Sequence, residues 1–196
     1  MYNICELEKE MLHYMEEKIK EFRDGIFALR TRRFGTVAEL MIRKLINASE
    51  SLNQFHDLYD EAEGKRIEVK FSTVMKANKT TINENNLIEQ CIKATVSNRA
   101  MRSDEIHLYN FDCNIQQIKR VEFDILYYGL FFADRIAIFK MNSSDILNCY
   151  GYSDFQHKGN KGEGQFHLNP QSIDYHFENH FLQWLTYDEL YDLFAC

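Results

Sequence analysis

Residues 55 to 72 read FHDLYDEAEGKRIEVKFS. Ile67, Val69 and Phe71 alternate with Glu68 and Lys70, the pattern of a half-buried β-strand with one apolar and one polar face. A second strand precedes the charged turn Glu61-Ala62-Glu63-Gly64, so the stretch reads as a hairpin with strands near 55–60 and 65–74. Charged groups on such a strand need a partner, a metal or a substrate, because burying an unpaired charge is costly.

The turn sets the register. With Glu61 to Gly64 as the connection, Asp60 lies opposite Lys65, Leu58 opposite Ile67 and Asp57 opposite Glu68. Directly opposed residues hold their Cβ atoms about 4.5–5.5 Å apart on one face, and Lys70, two residues beyond Glu68, shares that face. A turn one residue longer or shorter would put Asp60 in the place of Asp57. Facing carboxylates repel unless a proton or a cation lies between them. Mg²⁺ suits the gap, since it takes oxygen ligands, binds through one or two carboxylates and keeps waters and phosphate oxygens in its other positions. Such an ion polarises a phosphodiester, and a neighbouring lysine orients water and neutralises charge developing on the phosphate. Phosphodiester hydrolysis is the chemistry these three side chains fit best. The chain has two further Glu-x-Lys triplets, Glu16-x-Lys18 on a polar helix face and Glu63-x-Lys65 in the turn, where solvated charge is explanation enough.

Outward from the hairpin, residues 3 to 30 carry apolar side chains at three- and four-residue steps and read as one amphipathic helix, with a break expected near Asp24-Gly25. A second helix is expected after Gly35, opened by a capping box in which Thr36 is the N-cap and Glu39 its reciprocal partner. Beyond the hairpin come a polar loop, a helix near 86–98, a strand in DEIHLYNF, and two long strands joined at Ala133-Asp134-Arg135. Tyr127, Tyr128, Phe131 and Phe132 in these strands read as sheet core. A helix after Asn169-Pro170 and a last helix opened by the capping box Thr186 to Glu189 complete the chain. Interleaved helices and strands place it in the α/β (α+β) class, a mixed central sheet flanked by helices with a long N-terminal helix and a helical C-terminus.

At 196 residues the chain has the size of one domain. Its parts are expected to be a helical arm over 1–33, a catalytic core over 34–112, and a region over 113–196 for recognition or dimer contact. No secretion signal or stretch long enough to span a bilayer is evident, so a soluble cytoplasmic protein is expected, with no membrane partner. Five scattered cysteines without a CxxC pair argue against a disulfide framework or a structural zinc site. The formal charge of −7 disfavours coating of nucleic acid by bulk electrostatics but leaves room for a local basic cleft.

The run Asp57-Leu58-Tyr59 followed by Ile67-Glu68-Val69-Lys70-Phe71-Ser72, preceded by the helix sequence Gly35-Thr36-Val37-Ala38-Glu39, resembles the PD-(D/E)xK nuclease superfamily. Size and C-terminal region look most like a type II restriction endonuclease. The motif-bearing part covers residues 34 to 112. The resemblance implies a restriction-endonuclease-like core, Mg²⁺ on Asp57 and Glu68, Lys70 assisting the attacking water, and Glu39 completing the metal site. His56 stands where the family carries proline, and only one strand fits between Ala48 and Asp60 where the family core usually has another.

The function this implies is a Mg²⁺-dependent, sequence-specific double-strand DNA endonuclease, acting as a homodimer on a symmetric site and accompanied by a cognate DNA methyltransferase. A structure-selective nuclease such as a junction resolvase, and a non-catalytic DNA-binding or regulatory protein, are the alternatives. Candidate DNA contacts are Arg30, Arg32 and Arg33 ahead of the Glu39 helix, Lys76, Asn78 and Lys79 in the polar loop, and His157, Lys158, Asn160, Lys161 and Gln165 in a second loop. Gln90 would approach the site from the helix near 86–98. His176 and His180 have the spacing of helical zinc ligands but lack a third ligand, and a metal finger of His157, Asn160 and His167 has unsupportive spacing.

Overall fold

A computed structural model describes residues 4–155 and 162–195. Its elements in chain order are α1 (Ile4–Ala28), α2 (Thr31–Ile46), β1 (Ser49–Glu50), β2 (Leu58–Asp60), β3 (Lys65–Thr73), α3 (Leu87–Lys93), α4 (Val96–Arg99), β4 (Cys113–Ile118), β5 (Ile125–Phe131), β6 (Arg135–Asn142), β7 (Gly164–Leu168), α5 (Ile173–Asn179), β8 (Phe181–Thr186) and α6 (Tyr187–Asp192). One mixed sheet runs in the order β1-β2-β3-β5-β6-β8, antiparallel except for the parallel pair β3–β5, and β4 and β7 form a separate antiparallel ribbon. The chain is therefore of the α/β class.

β5 shows why the sheet is central. Its sequence ILYYGLF is apolar throughout because both faces are covered. Tyr127 and Phe131 point with Ile125 into a core shared with α1, α2 and α6, whereas Leu126, Tyr128 and Leu130 point into a core shared with the β4–β7 ribbon and α5. Gly129 sits at the crowded crossing: a Cβ there would stand 2.1 Å from the Ala137 carbonyl oxygen and 2.4 Å from the Phe71 ring. Phe132 is likewise fully buried.

β3 divides its residues between the same two sides. Ile67 and Val69 meet α2, whose buried stripe is Phe34, Ala38, Met41 and Ile42. Glu68 and Lys70 lie on the side of the ribbon, paired in register with Leu126 and Tyr128. An Arg66–Asp124 fork ties β3 to the start of β5, with Asp124 accepting from the backbone N–H, Nε and Nη2 of Arg66. The guanidinium holds the Asp124 carboxyl down at about 2.

Several local expectations are corrected. α1 runs through Asp24-Gly25 without a break, and the Asp24 carboxylate pairs with Arg23. α2 begins at Thr31 rather than after Gly35, so Thr36 lies inside the helix and its hydroxyl donates back to the Arg32 carbonyl. Glu39 has no capping task. A short strand, β1, does lie between Ala48 and Asp60 in addition to β2. The segment near 86–98 is two short helices, α3 and α4, and Leu87, Ile88 and Ile92 face solvent. DEIHLYNF is not a strand: Ser103–Glu105 form a 3₁₀ turn, held because Ser103 donates its N–H and hydroxyl to Asp134 and Glu105 accepts from the Arg102 N–H. β8 and the two ribbon strands arise where no strand was anticipated.

Candidate active site

The hairpin has the predicted register, with Leu58 opposite Ile67, Tyr59 opposite Arg66 and Asp60 opposite Lys65. Asp60 is occupied in the turn, its Oδ1 accepting from the N–H groups of Ala62 and Glu63. Asp57 is the residue left to face Glu68.

The length of β2 creates the site. It is a three-residue strand against the nine of β3, so β3 loses its neighbour beyond Glu68. Asp57 closes the gap: its N–H donates to the Ile67 carbonyl at 3.0 Å, and its Oδ2 accepts from the Val69 N–H at 2.8 Å. A side-chain carboxylate thus takes the place of the next strand carbonyl, leaving Oδ1 without a hydrogen bond among the described residues. Lys70 Nζ lies 3.7 Å from Asp57 Oδ2 and donates to Glu68 Oε1. The three side chains converge on the open edge of β3.

Electrostatics follow from burial. Glu68 is 9% exposed, and loss of water pushes its carboxyl up to about 7 even though Lys70 works in the opposite direction. Burial acts to lower Lys70, but Glu68, Asp57 and Glu39 outweigh it, and the ammonium is held above its ordinary range. Glu39 is half-buried and also raised, first by desolvation and then by Asp57. α2 and the hairpin therefore bring Glu39, Asp57, Glu68 and Lys70 into one coupled group. His56 is buried beside them with Nδ1 unpartnered among the described residues, and burial followed by the Arg66 guanidinium lowers its basicity.

Two cavities meet at this group. The smaller, about 190 Å³, is lined by His56, Asp57, Glu68, Lys70, Gln117 and Lys119, with Glu122 and Glu163 at its margin. The larger, about 630 Å³, is a cleft between α2 and the ribbon lined by Arg32, Glu39, Lys70, Asn114, Gln116 and Gln117. Lys70 and Gln117 border both.

No protein-family model, curated protein or solved structure matches this chain. What its residues do must therefore be argued from the geometry.

Of the basic cluster, Arg30 is the N-cap of α2 and Arg32 and Arg33 lie in its first turn; Arg32 lines the cleft, and all three are exposed. Lys76 and Asn78 border a separate cavity of about 490 Å³ with Lys93 and Arg99. There Lys76 pairs with Glu105 at 2.7 Å and Asn78 donates to Gln90 at 3.0 Å; Gln90 lines neither cavity at Glu68 and Lys70. Lys79 is exposed nearby in the chain. His157, Lys158, Asn160 and Lys161 lie outside the described residues. Gln165 is on β7, where Asn114 Nδ2 donates to its Oε1 at 3.0 Å. His176 is core, its Nδ1 2.8 Å from the Tyr128 hydroxyl and its basicity lowered to about 3 by burial. His167 pairs with Asp112.

Sequence reasoning missed Asn114, Gln116, Gln117 and Lys119. Alternation of Cys113 and Ile115 with Asn114 and Gln116 was the available signal.

Among the described residues, no three His, Cys, Asp or Glu side chains are already gathered as a metal-binding group. Lys70 explains this, because its ammonium occupies the position between the carboxylates. The residues nonetheless fit a hard divalent cation. Asp57 Oδ1 and Glu68 Oε2 accept no hydrogen bond from described residues, which leaves one carboxylate oxygen on each side of the gap for an oxygen-seeking ion.

Proposed function

We propose that this chain is a Mg²⁺-dependent endonuclease of the PD-(D/E)xK kind that hydrolyses phosphodiester bonds in double-stranded DNA, of the type II restriction class. The observation that carries the reading is the convergence of Asp57, Glu68 and Lys70 at the open edge of β3, with Asp57 fixed by the Val69 N–H. The order α2, β1, β2, β3, then β5 parallel to β3, supports it further, since the additional strand that the resemblance called for is present.

Asp57 and Glu68 would hold the ion, with Glu39 beside them. When bound, Mg²⁺ supplies Lewis-acid polarisation of the phosphodiester and a more acidic water. Asp57 is pre-positioned, because its backbone-anchored carboxylate need not reorganise. Lys70 stays protonated, so its task is to donate: it orients the attacking water and balances charge building on the phosphate, and does not act as the base. Arg32 lies in the cleft where a phosphate of the same strand would pass. The net charge of −7 disfavours indiscriminate backbone binding and so weighs against a structure-selective nuclease.

The test incubates the full chain with phage-length DNA, with and without Mg²⁺, beside Asp57→Asn, Glu68→Gln and Lys70→Ala. Discrete Mg²⁺-dependent fragments lost in all three variants are expected. Cutting that persists in the variants would remove the site, and cutting confined to branched DNA would move the substrate to junctions.

A further inference from the structure

The β4–β7 ribbon offers a second surface at the same cleft. Its register pairs Cys113 with Leu168 and Ile115 with Phe166 on the buried side, and Asn114 with His167 and Gln116 with Gln165 on the outer side. The underside is fixed. Cys113, Ile115, Phe166 and Leu168 are all in the core, and the Ser172 hydroxyl donates to the His167 carbonyl at 2.6 Å. The outer side is a short row of primary amides with no lysine or arginine, joined by one imidazole, His167, which is bound to Asp112 at 2.7 Å.

At the end nearest Lys70 the ribbon carries a bulge. Gln117 is the inserted residue between the Gln116–Gln165 and Ile118–Gly164 pairs, and its φ of 61° is left-handed. A non-glycine residue held there is strained, and such strain concentrates where a side chain must be aimed. Gly164, paired with Ile118 beside the bulge, leaves room for Tyr152, whose hydroxyl a Cβ there would meet at 2.2 Å. Gln117 borders both cavities, so the amide row runs directly into the group formed by Glu68 and Lys70.

We propose that the outer face of the β4–β7 ribbon enters the major groove of duplex DNA and reads adenines through Asn114, Gln116 and Gln165, a reading of specificity that rests on the nuclease function proposed above. A two-stranded ribbon fits the major groove, and Asn and Gln are the side chains that pair in bidentate fashion with adenine N6 and N7. The alternatives fit less well. Electrostatic attraction to phosphates needs cations, and the row has no lysine or arginine. Single strands are held by stacking on successive aromatic rings, and the row has one ring, His167, which is tied to Asp112. The bond from Asn114 to Gln165 orients both amides in advance while leaving Asn114 Oδ1 and the Gln165 amide hydrogens for a base edge.

The experiment reads binding separately from cutting. Full-length Lys70→Ala in Mg²⁺, and the unmodified chain in EDTA, are each used to select duplexes from a random pool, which are then sequenced. A motif with adenines at fixed positions is expected. Asn114→Ala and Gln116→Ala, both at exposed positions, should each lose preference at one adenine while keeping affinity for unselected duplex within about twofold. Replacing that adenine by 7-deazaadenine, which lacks the N7 acceptor, should weaken the parent about 10-fold and leave the matched variant unaffected. A motif without adenine, variants that select the parent's motif undiminished, or no motif in either arm would overturn the proposal. Selection of an adenine motif by a chain that never cuts DNA would keep this inference and remove the nuclease reading.

Discussion

Glu68 is the residue whose chemistry is most exposed to experiment. Its folded-state carboxyl stands at about 7 against an ordinary 4.5, chiefly through desolvation. A raised acid means that the folded chain binds the proton more tightly than the unfolded chain does. The stability it contributes is complete below about 4.5 and is lost as pH rises through about 7. In EDTA, thermal melts should therefore fall in midpoint between pH 5 and pH 8 for the unmodified chain, and Glu68→Gln should lack this part of the slope. Magnesium at pH 8 should raise the midpoint of the unmodified chain, because the ion binds the ionised form, and should raise Glu68→Gln far less. A flat pH profile shared by both proteins would contradict this account. Asp57 separates charge from scaffold. Asp57→Asn keeps an acceptor for the Val69 N–H and should melt near the unmodified chain while losing Mg²⁺-dependent cleavage about 100-fold or more. Asp57→Ala removes the acceptor too and should cost a further 1–3 kcal/mol or so in urea unfolding.

At the scale of elements, the site exists because β2 is short and α2 and the ribbon pack on opposite sides of β3. The hairpin was legible in the sequence because Gly64 and the charged turn fix its register, and that register in turn fixes which acid faces Glu68. The pair of strands around Ala133-Asp134-Arg135 and the C-terminal capping box at Thr186 were equally local, and the structure has both. Non-local features were not legible. β4 and β7 lie some fifty positions apart in the chain, so the alternation within either half gives no sign of the partner that covers it. The helix near 86–98 failed for the converse reason. Its apolar residues suggested burial, but no described element covers Leu87, Ile88 or Ile92. Glu39 was half legible: its place on a helix was right, while the capping role competed with the functional one until the helix start at Thr31 removed it. Gly129 tests the packing that holds the sheet together. Gly129→Ala would drive a methyl into the Ala137 carbonyl and the Phe71 ring, with backbone on one side unable to yield. Denaturant unfolding should show a loss of about 3 kcal/mol or more, or no folded protein. An unchanged midpoint would mean that β5 and β6 are less closely apposed than described.

For the whole molecule, the pertinent fact is where α1 stops touching the rest. Its second half is anchored by Ile26 and Phe27 in the core, by Phe22 edge-on to Tyr191 at 5.5 Å, and by Arg23 donating to the Ala133 carbonyl. The apolar stripe does not end there. Met11, Leu12 and Met15 continue it, and they are 64%, 62% and 38% exposed. Cutting both strands of a symmetric site calls for a two-fold dimer, and in the proposed nuclease this uncovered stripe would be its contact surface. Leu12→Asp places a charge in it twice, once from each protomer. In that proposed dimer each protomer would lose the burial of one leucine, about 1.5–3 kcal/mol each, which should weaken dimerisation about 100-fold or more. Sedimentation at micromolar concentration should then move from dimer to monomer mass, while circular dichroism and melting of the monomer stay unchanged because Leu12 touches no core. On plasmid DNA the variant should nick one strand and seldom complete the second cut, since the catalytic group of each protomer is intact but no longer paired. An unmodified chain that sediments as a monomer would move the dimer surface away from α1.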